Sequence, residues 1–199
     1  MRFLLWIAFT AFLTGCTTMP LPSTPPTQMP WKNREEALNR IQSWQLNGKI
    51  GVQTAQDGGS ATIDWTQNQQ QYTISLSGPL GTNAVRLTGR PGYVTLISAN
   101  GKQASASTPE QLLAQQLGWN VPVSSLHYWI RGLPVPGVPA NTQFDAYHRI
   151  SDMTQQGSHI QFLSYINTNG IELPQKIFIT APNLRTKIII YNWNTYLSH

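Results

Sequence analysis

Apolar and polar residues alternate with a period of two over most of this chain. Trp44, Leu46, Gly48, Ile50 and Val52 fall on one side, and Gln45, Asn47, Lys49, Gly51 and Gln53 on the other, the pattern of a half-buried strand. Asp57-Gly58-Gly59 predicts a turn, after which Ala61, Ile63 and Trp65 oppose Thr62, Asp64 and Thr66 and complete a hairpin. Tyr72, Ile74 and Leu76 alternate with Thr73, Ser75 and Ser77. Gly78-Pro79-Leu80-Gly81 then turns into a strand carrying Val85 and Leu87 opposite Arg86 and Thr88. Pro91-Gly92 and Asn100-Gly101 bound two more strands, so the first half reads as an antiparallel meander of six.

Helical periodicity interrupts this pattern in three places. Between Trp31 and Ile41, Ala37, Leu38 and Ile41 share one side, while Lys32, Arg34, Glu35, Glu36 and Arg40 lie elsewhere, as in an amphipathic surface helix. Thr108-Pro109-Glu110 supplies an N-cap, a first-turn proline and an early acid, and Gly118 a stop, around the apolar face Leu112, Leu113 and Leu117. A second short helix is expected from Ser124 as cap through Leu126, Tyr128, Trp129 and Ile130 to Gly132, before a Pro-rich loop from Leu133 to Pro139. Strands resume around 144–154, 159–166, 175–181 and 185–193. A long meander interrupted by helices predicts a mainly β fold, a closed or nearly closed antiparallel barrel of about ten strands with helices over one opening. Such a barrel is wide enough to enclose a hydrophobic guest. A filled core or a two-sheet sandwich fits the same pattern.

The N-terminus changes the picture. Arg2, an apolar run from Phe3 to Leu13, and Leu13-Thr14-Gly15-Cys16 follow one another in the order of an export signal, and the run is too short to span a bilayer. The ending resembles the lipobox of bacterial lipoproteins, which implies removal of residues 1–15 and acylation of Cys16, the only cysteine of the chain. An ordinary secretory signal with an incidental Cys16, or an uncleaved anchor, is the alternative. Thr17 rather than an aspartate after the cysteine favours the outer membrane. Pro20, Pro22, Pro25, Pro26 and Pro30 make residues 16–30 a semi-rigid tether, with a reach of about 40 Å at ~3.1 Å per residue. Residues 31–199 then form the single folded domain.

Charge and side-chain chemistry exclude more than they assign. The net charge is +5 and charged residues are 11% of the chain, but Lys and Arg are scattered singly, with no cluster to follow a nucleic-acid backbone. The charge reads as a solubility and surface property, compatible with an acidic partner or an anionic lipid surface. His127, His148, His159 and His199 form no metal-ligand spacing, Glu35-Glu36 is the only adjacent acidic pair, and no nucleophile elbow or phosphate loop is present. The expectation is a protein without catalytic residues, metal or cofactor.

Several motifs together are more specific. Gly78-Pro79-Leu80-Gly81 lies between strands, Leu117-Gly118-Trp119 is followed by Val121-Pro122, and above all Tyr128-Trp129-Ile130-Arg131-Gly132-Leu133-Pro134 opens the long loop. With Lys49-Ile50, Trp65, Leu173-Pro174, Lys176-Ile177, Lys187-Ile188 and Trp193, they resemble the LolB family of outer-membrane lipoprotein receptors over residues 44–193. Two features depart from the family: Gly78 stands where some members have asparagine, and the Pro-rich tether matches no family pattern.

The resemblance implies an incomplete antiparallel barrel of about eleven strands with a helical lid and a hydrophobic cavity, similar to the carrier LolA. It also implies a lipid-anchored monomer on the periplasmic face of the outer membrane. There it takes acylated lipoproteins from LolA and inserts them into the inner leaflet. Candidate residues for the acyl-chain cavity and lid are Leu46, Ile50, Val52, Ile63, Trp65, Ile74 and Leu76 from strands, and Leu112, Leu113, Leu117, Trp129 and Ile130 from helices. Each fits simple core packing as well. Arg131 fits either an electropositive contact at the mouth or a hydrogen-bonding role toward loop carbonyls. The resemblance makes Gly78, Pro79, Leu80 and Gly81 a membrane-insertion loop with Leu80 protruding, against an inward leucine covering the barrel edge. The competing function is an assembly lipoprotein with a filled core that binds a protein partner.

Overall fold

The computed structural model describes residues 28–55, 58–82 and 84–196; the export signal, Cys16 and the tether up to residue 27 lie outside the described residues, as do the side chains of Leu80 and Leu117. Helix α1 (Trp31–Arg40) leads into β1 (Ser43–Gln53), β2 (Gly58–Asn68), β3 (Gln71–Ser77), β4 (Val85–Arg90), β5 (Tyr93–Ser98) and β6 (Gln103–Ala106). Helices α2 (Pro109–Leu117) and α3 (Val123–Trp129) follow, then β7 (Ala140–Phe144), β8 (Ile150–Gln155), β9 (Ser158–Thr168), β10 (Ile171–Ala181) and β11 (Leu184–Tyr196).

The eleven strands among the described residues belong to one antiparallel sheet, ordered β6-β5-β4-β3-β2-β1-β11-β10-β9-β8-β7. The two meanders meet at β1 and β11, whose register runs from Ser43 opposite Tyr196 to Gln53 opposite Arg185. Strands β6 and β7 are the two edges, so the sheet is an open, incomplete barrel rather than a closed one. Alternation places Ile50, Ile188 and Ile177 on one inward rung, all buried. A bulge at Asn47 and Gly48 brings β1 so close to β11 that a Cβ on Gly48 would lie 2.1 Å from the Ile189 carbonyl oxygen. Glycine is required there by the approach of two backbones.

Several expectations need correcting. Asp57-Gly58-Gly59 is not wholly a turn, because Gly58 and Gly59 already pair with Gln53 and Val52. The strand expected over 144–154 is two: β7 and β8 are separated by a turn in which Asp145 Oδ1 accepts from the backbone N–H groups of Tyr147 and Arg149. Helix α3 is capped by Pro122 rather than Ser124, and the Ser124 N–H is taken by Glu110 Oε1 of α2 at 2.8 Å. Helix α1 ends at Arg40, with Ile41 as its C-cap. Arg34, read as part of the polar face of α1, is buried and forms a 2.8 Å ion pair with buried Glu172 of β10. Amphipathic patterning misses it because a long cation meeting a carboxylate across 138 residues has no local signature.

The Thr108 and Gly118 caps of α2 form as expected: Thr108 Oγ1 accepts from the Gln111 N–H at 3.3 Å, and Gly118 takes φ +69°. The Gly78–Gly81 segment closes as a single 3-10 turn over Pro79–Gly81, with the Gly81 N–H donating to the Gly78 carbonyl at 3.0 Å. Pro79 and Gly81, on either side of Leu80, are exposed.

Candidate functional site: an apolar cavity under the helices

Strand register puts two kinds of surface at opposite ends of the sheet. At one end lie α1, the β2–β3 turn and the β4–β5 turn; at the other lie the β1–β2 connection and the Pro79–Gly81 turn. Between them, β1 to β4 curve under α2, the 118–122 segment and α3. The space enclosed is an apolar cavity of about 50 Å³. Its sheet wall is Ile50, Val52, Ile63, Trp65, Ile74, Leu76, Val85 and Leu87, and its cover is Leu113, Trp119, Val121, Val123 and Leu126.

Of the candidate cavity residues, Ile50, Val52, Ile63, Trp65, Ile74, Leu76 and Leu113 are brought together around this space. Leu46, Leu112, Trp129 and Ile130 are buried but do not line it. Leu46 lies one rung from Trp44, whose ring packs at 5.2 Å from Trp65 and 5.3 Å from Trp193, forming an aromatic floor between the cavity and the α1 end. Trp129 is a bolt: its Nε1 donates to Gln155 Oε1 at 2.8 Å, and the Gln155 amide in turn donates to the carbonyls of Val135 and Val138. The cover residues Trp119, Val121, Val123 and Leu126 were not among the candidates. Val85 and Leu87 were legible by alternation with Arg86; Trp119 and Val121, in a segment without period, were not.

The two helices are held unequally. Helix α3 is fixed by Trp129, by Ser125 Oγ donating to Gln156 Oε1 at 2.6 Å, and by Arg131 just beyond it. Arg131 Nη1 donates to the carbonyls of Leu38 and Ile41, at 3.3 and 2.9 Å, and Nε donates to the His127 carbonyl. Arg131 is 3% exposed and fastens α3 to the end of α1, while its buried guanidinium also borders the larger cleft at that end. Burial lowers its guanidinium to about 10, so it stays charged at neutral pH. Burial, with the Arg131 charge adding to it, holds His127 down at about 4, and the neutral ring accepts from Arg131 Nη2 at 3.3 Å. Helix α2, by contrast, packs on β5, β6 and α3, and its side-chain hydrogen bond to α3 is the exposed one from the Ser124 N–H to Glu110.

A larger cleft of about 770 Å³ lies beyond the aromatic floor, lined by Asn39, Gln42, Asn68, Gln69, Gln71, Arg90 and Tyr128 among others. Carboxamides, His127 and the two arginines Arg90 and Arg131 make it a poor home for hydrocarbon, which the smaller apolar space suits better. Among the described residues no three His, Cys, Asp or Glu side chains converge on a metal-sized site, and no helix is long and apolar enough to cross a membrane.

The profile of the family described as "Outer membrane lipoprotein LolB" matches residues 42–193. The chain belongs to the LolB family. A LolB described as an outer-membrane lipoprotein in Pseudomonas syringae pv. syringae is 39% identical over 198 residues, covering 97% of this chain and 96% of that one. One from Pseudomonas putida (strain GB-1) is 42% identical over 163 residues, covering 82% and 80%. Among solved structures, a LolA superfamily protein from Nitrosomonas europaea superposes with a TM-score of 0.56 at 8% identity, covering 84% of this chain and 94% of that one. That likeness concerns the fold, an open β-sheet wrapped around helices, which the LolB family member described here shares.

Proposed function

We propose that this protein receives lipoproteins at the periplasmic face of the outer membrane and inserts them into its inner leaflet. Acyl chains taken from the carrier LolA would be held between β1–β4 and the helices. The observation that carries this reading is the wholly apolar cavity beneath α2 and α3 in a member of a family of outer-membrane lipoproteins.

Pockets that hold ligands are commonly ~300–1,000 Å³. At about 50 Å³ the cavity would have to widen to take acyl chains. With α3 bolted to β8 and to the end of α1, the panel that moves is α2 together with the 118–122 segment. No catalytic group is needed. Transfer runs downhill if the receptor binds acyl chains more tightly than the carrier and the bilayer binds them more tightly still. Acylated Cys16 and the Pro-rich tether keep the monomeric domain at the membrane, and Gly78-Pro79-Leu80-Gly81 carries Leu80 to the bilayer.

The small volume also favours the second reading, an assembly lipoprotein with a filled core. The two separate when the chain from residue 16 onward, carrying Cys16→Ala, is incubated with lipid-loaded carrier and its bound lipid is extracted and weighed by mass spectrometry. Stoichiometric acyl cargo is expected. An interior that takes up neither cargo nor acyl probes assigns the protein to the scaffold class.

A further inference from the structure

We propose that the outer face of β1, β11 and β10 docks on an anionic bilayer surface through Lys49, Lys176, Lys187 and Arg185. The register places these four together. Lys49 and Lys176 flank Ile189 on one rung, Lys187 stands on the next rung between Gly51 and Phe178, and Arg185 on the rung after, between Gln53 and Thr180. All point away from the core, because the intervening inward residues Thr186, Ile188 and Ile177 are buried. With strands ~4.8 Å apart and ~3.4 Å per residue, the four cations occupy a patch about 10 Å by 14 Å.

Charge is uncompensated there. Among the described residues none of the four is in an ion pair. The carboxylates on this side of the neighbouring strands are Asp152, which is 3.2 Å from His159, and Asp64, which stands opposite Asn47, one rung beyond Lys49. Ile189 and Phe178 are half-buried between the cations, and Tyr191, the next outward residue of β11, is 50% exposed. Cations interleaved with apolar and aromatic side chains on a sheet face suit the headgroup region of a membrane. A protein partner fits less well, since three of the four are lysines, the cation that protein interfaces deplete. With Cys16 acylated, as proposed above, the tether supplies the bilayer at high effective concentration, so a weak contact is enough to set orientation.

The test uses the acylated protein in vesicles, with neither carrier nor cargo, so its outcome is independent of the transfer reading. The chain has five lysines, at 32, 49, 102, 176 and 187, and all can be followed by amine-reactive footprinting. In vesicles of phosphatidylcholine with 30% phosphatidylglycerol at low salt, Lys49, Lys176 and Lys187 should be labelled about fivefold more slowly than in pure phosphatidylcholine. Lys32 and Lys102 should be unchanged, and 0.5 M NaCl should remove the difference. In Arg185→Gln/Lys187→Gln, with an unchanged melting curve, protection of Lys49 and Lys176 should fall at least threefold. Equal rates in the two vesicle types, or uniform protection of all five lysines, would overturn the proposal.

Discussion

Arg34 of α1 and Glu172 of β10 meet at 2.8 Å with almost no exposure, so the helix that follows the tether is fixed to the C-terminal meander by a buried ion pair. Removing the carboxylate alone leaves the guanidinium in a site that excludes water. Glu172→Leu is expected to cost about 3–5 kcal/mol, and Arg34→Met/Glu172→Leu to recover most of that loss. Urea unfolding of the three proteins decides it; a double variant no more stable than the single one would mean that the pair is favourable beyond its mutual compensation.

His127 should make stability pH-dependent on the acid side of neutrality. Its folded value of about 4 lies below the ordinary 6.5 because burial, reinforced by Arg131, disfavours the charged ring. The unfolded chain therefore takes up the proton first as pH falls. The contribution is fully present above about 6.5 and is lost progressively down to about 4, at no more than about 1.4 kcal/mol per pH unit. His127→Gln should flatten the melting temperature across that window. A profile identical to the parent would assign the effect to other groups.

Gly48→Ala should be severely destabilising although it adds one methyl group. The new Cβ would overlap the Ile189 carbonyl oxygen, a backbone atom in the central β1–β11 ladder that cannot rotate away. A loss above about 2 kcal/mol is expected, from strain and a displaced ladder. Gly59→Ala is the control, since nothing lies within 4 Å of a Cβ there.

Leu80→Glu tests the proposed insertion loop. The turn closes through its own backbone bonds, including the Gly78 N–H to the Thr82 carbonyl at 2.8 Å, so changing the side chain should leave folding intact. Immersing one leucine in lipid is worth about 1.5–3 kcal/mol, enough to bias a reversible touch without anchoring the domain. Acceptance from the carrier should be near normal and release into liposomes blocked. A large drop in melting temperature would place Leu80 in the core, and undiminished liposome transfer would remove its role.

The sequence by itself determined the β periodicity, the two meanders, the caps of α2 and the family, because each is written in neighbouring residues: alternation at two, Thr108 and Gly118 at helix ends, and the run from Tyr128 to Pro134. It also marked most of the sheet wall of the cavity, since inward residues of adjacent strands share one face. Only the tertiary structure decided which buried residues enclose space and which fill it. Ile63 and Leu46 have the same local pattern, yet one lines the cavity and the other packs beside the tryptophan floor. Likewise Arg34, Arg131 and Trp129 are ordinary surface or helix residues by periodicity. Their partners Glu172, the Leu38 and Ile41 carbonyls, and Gln155 lie 138, 93, 90 and 26 residues away. Long-range pairing of polar groups leaves no local period to read. The closing of the sheet around the helices brings those partners together, and with them the four outward cations of β1, β10 and β11.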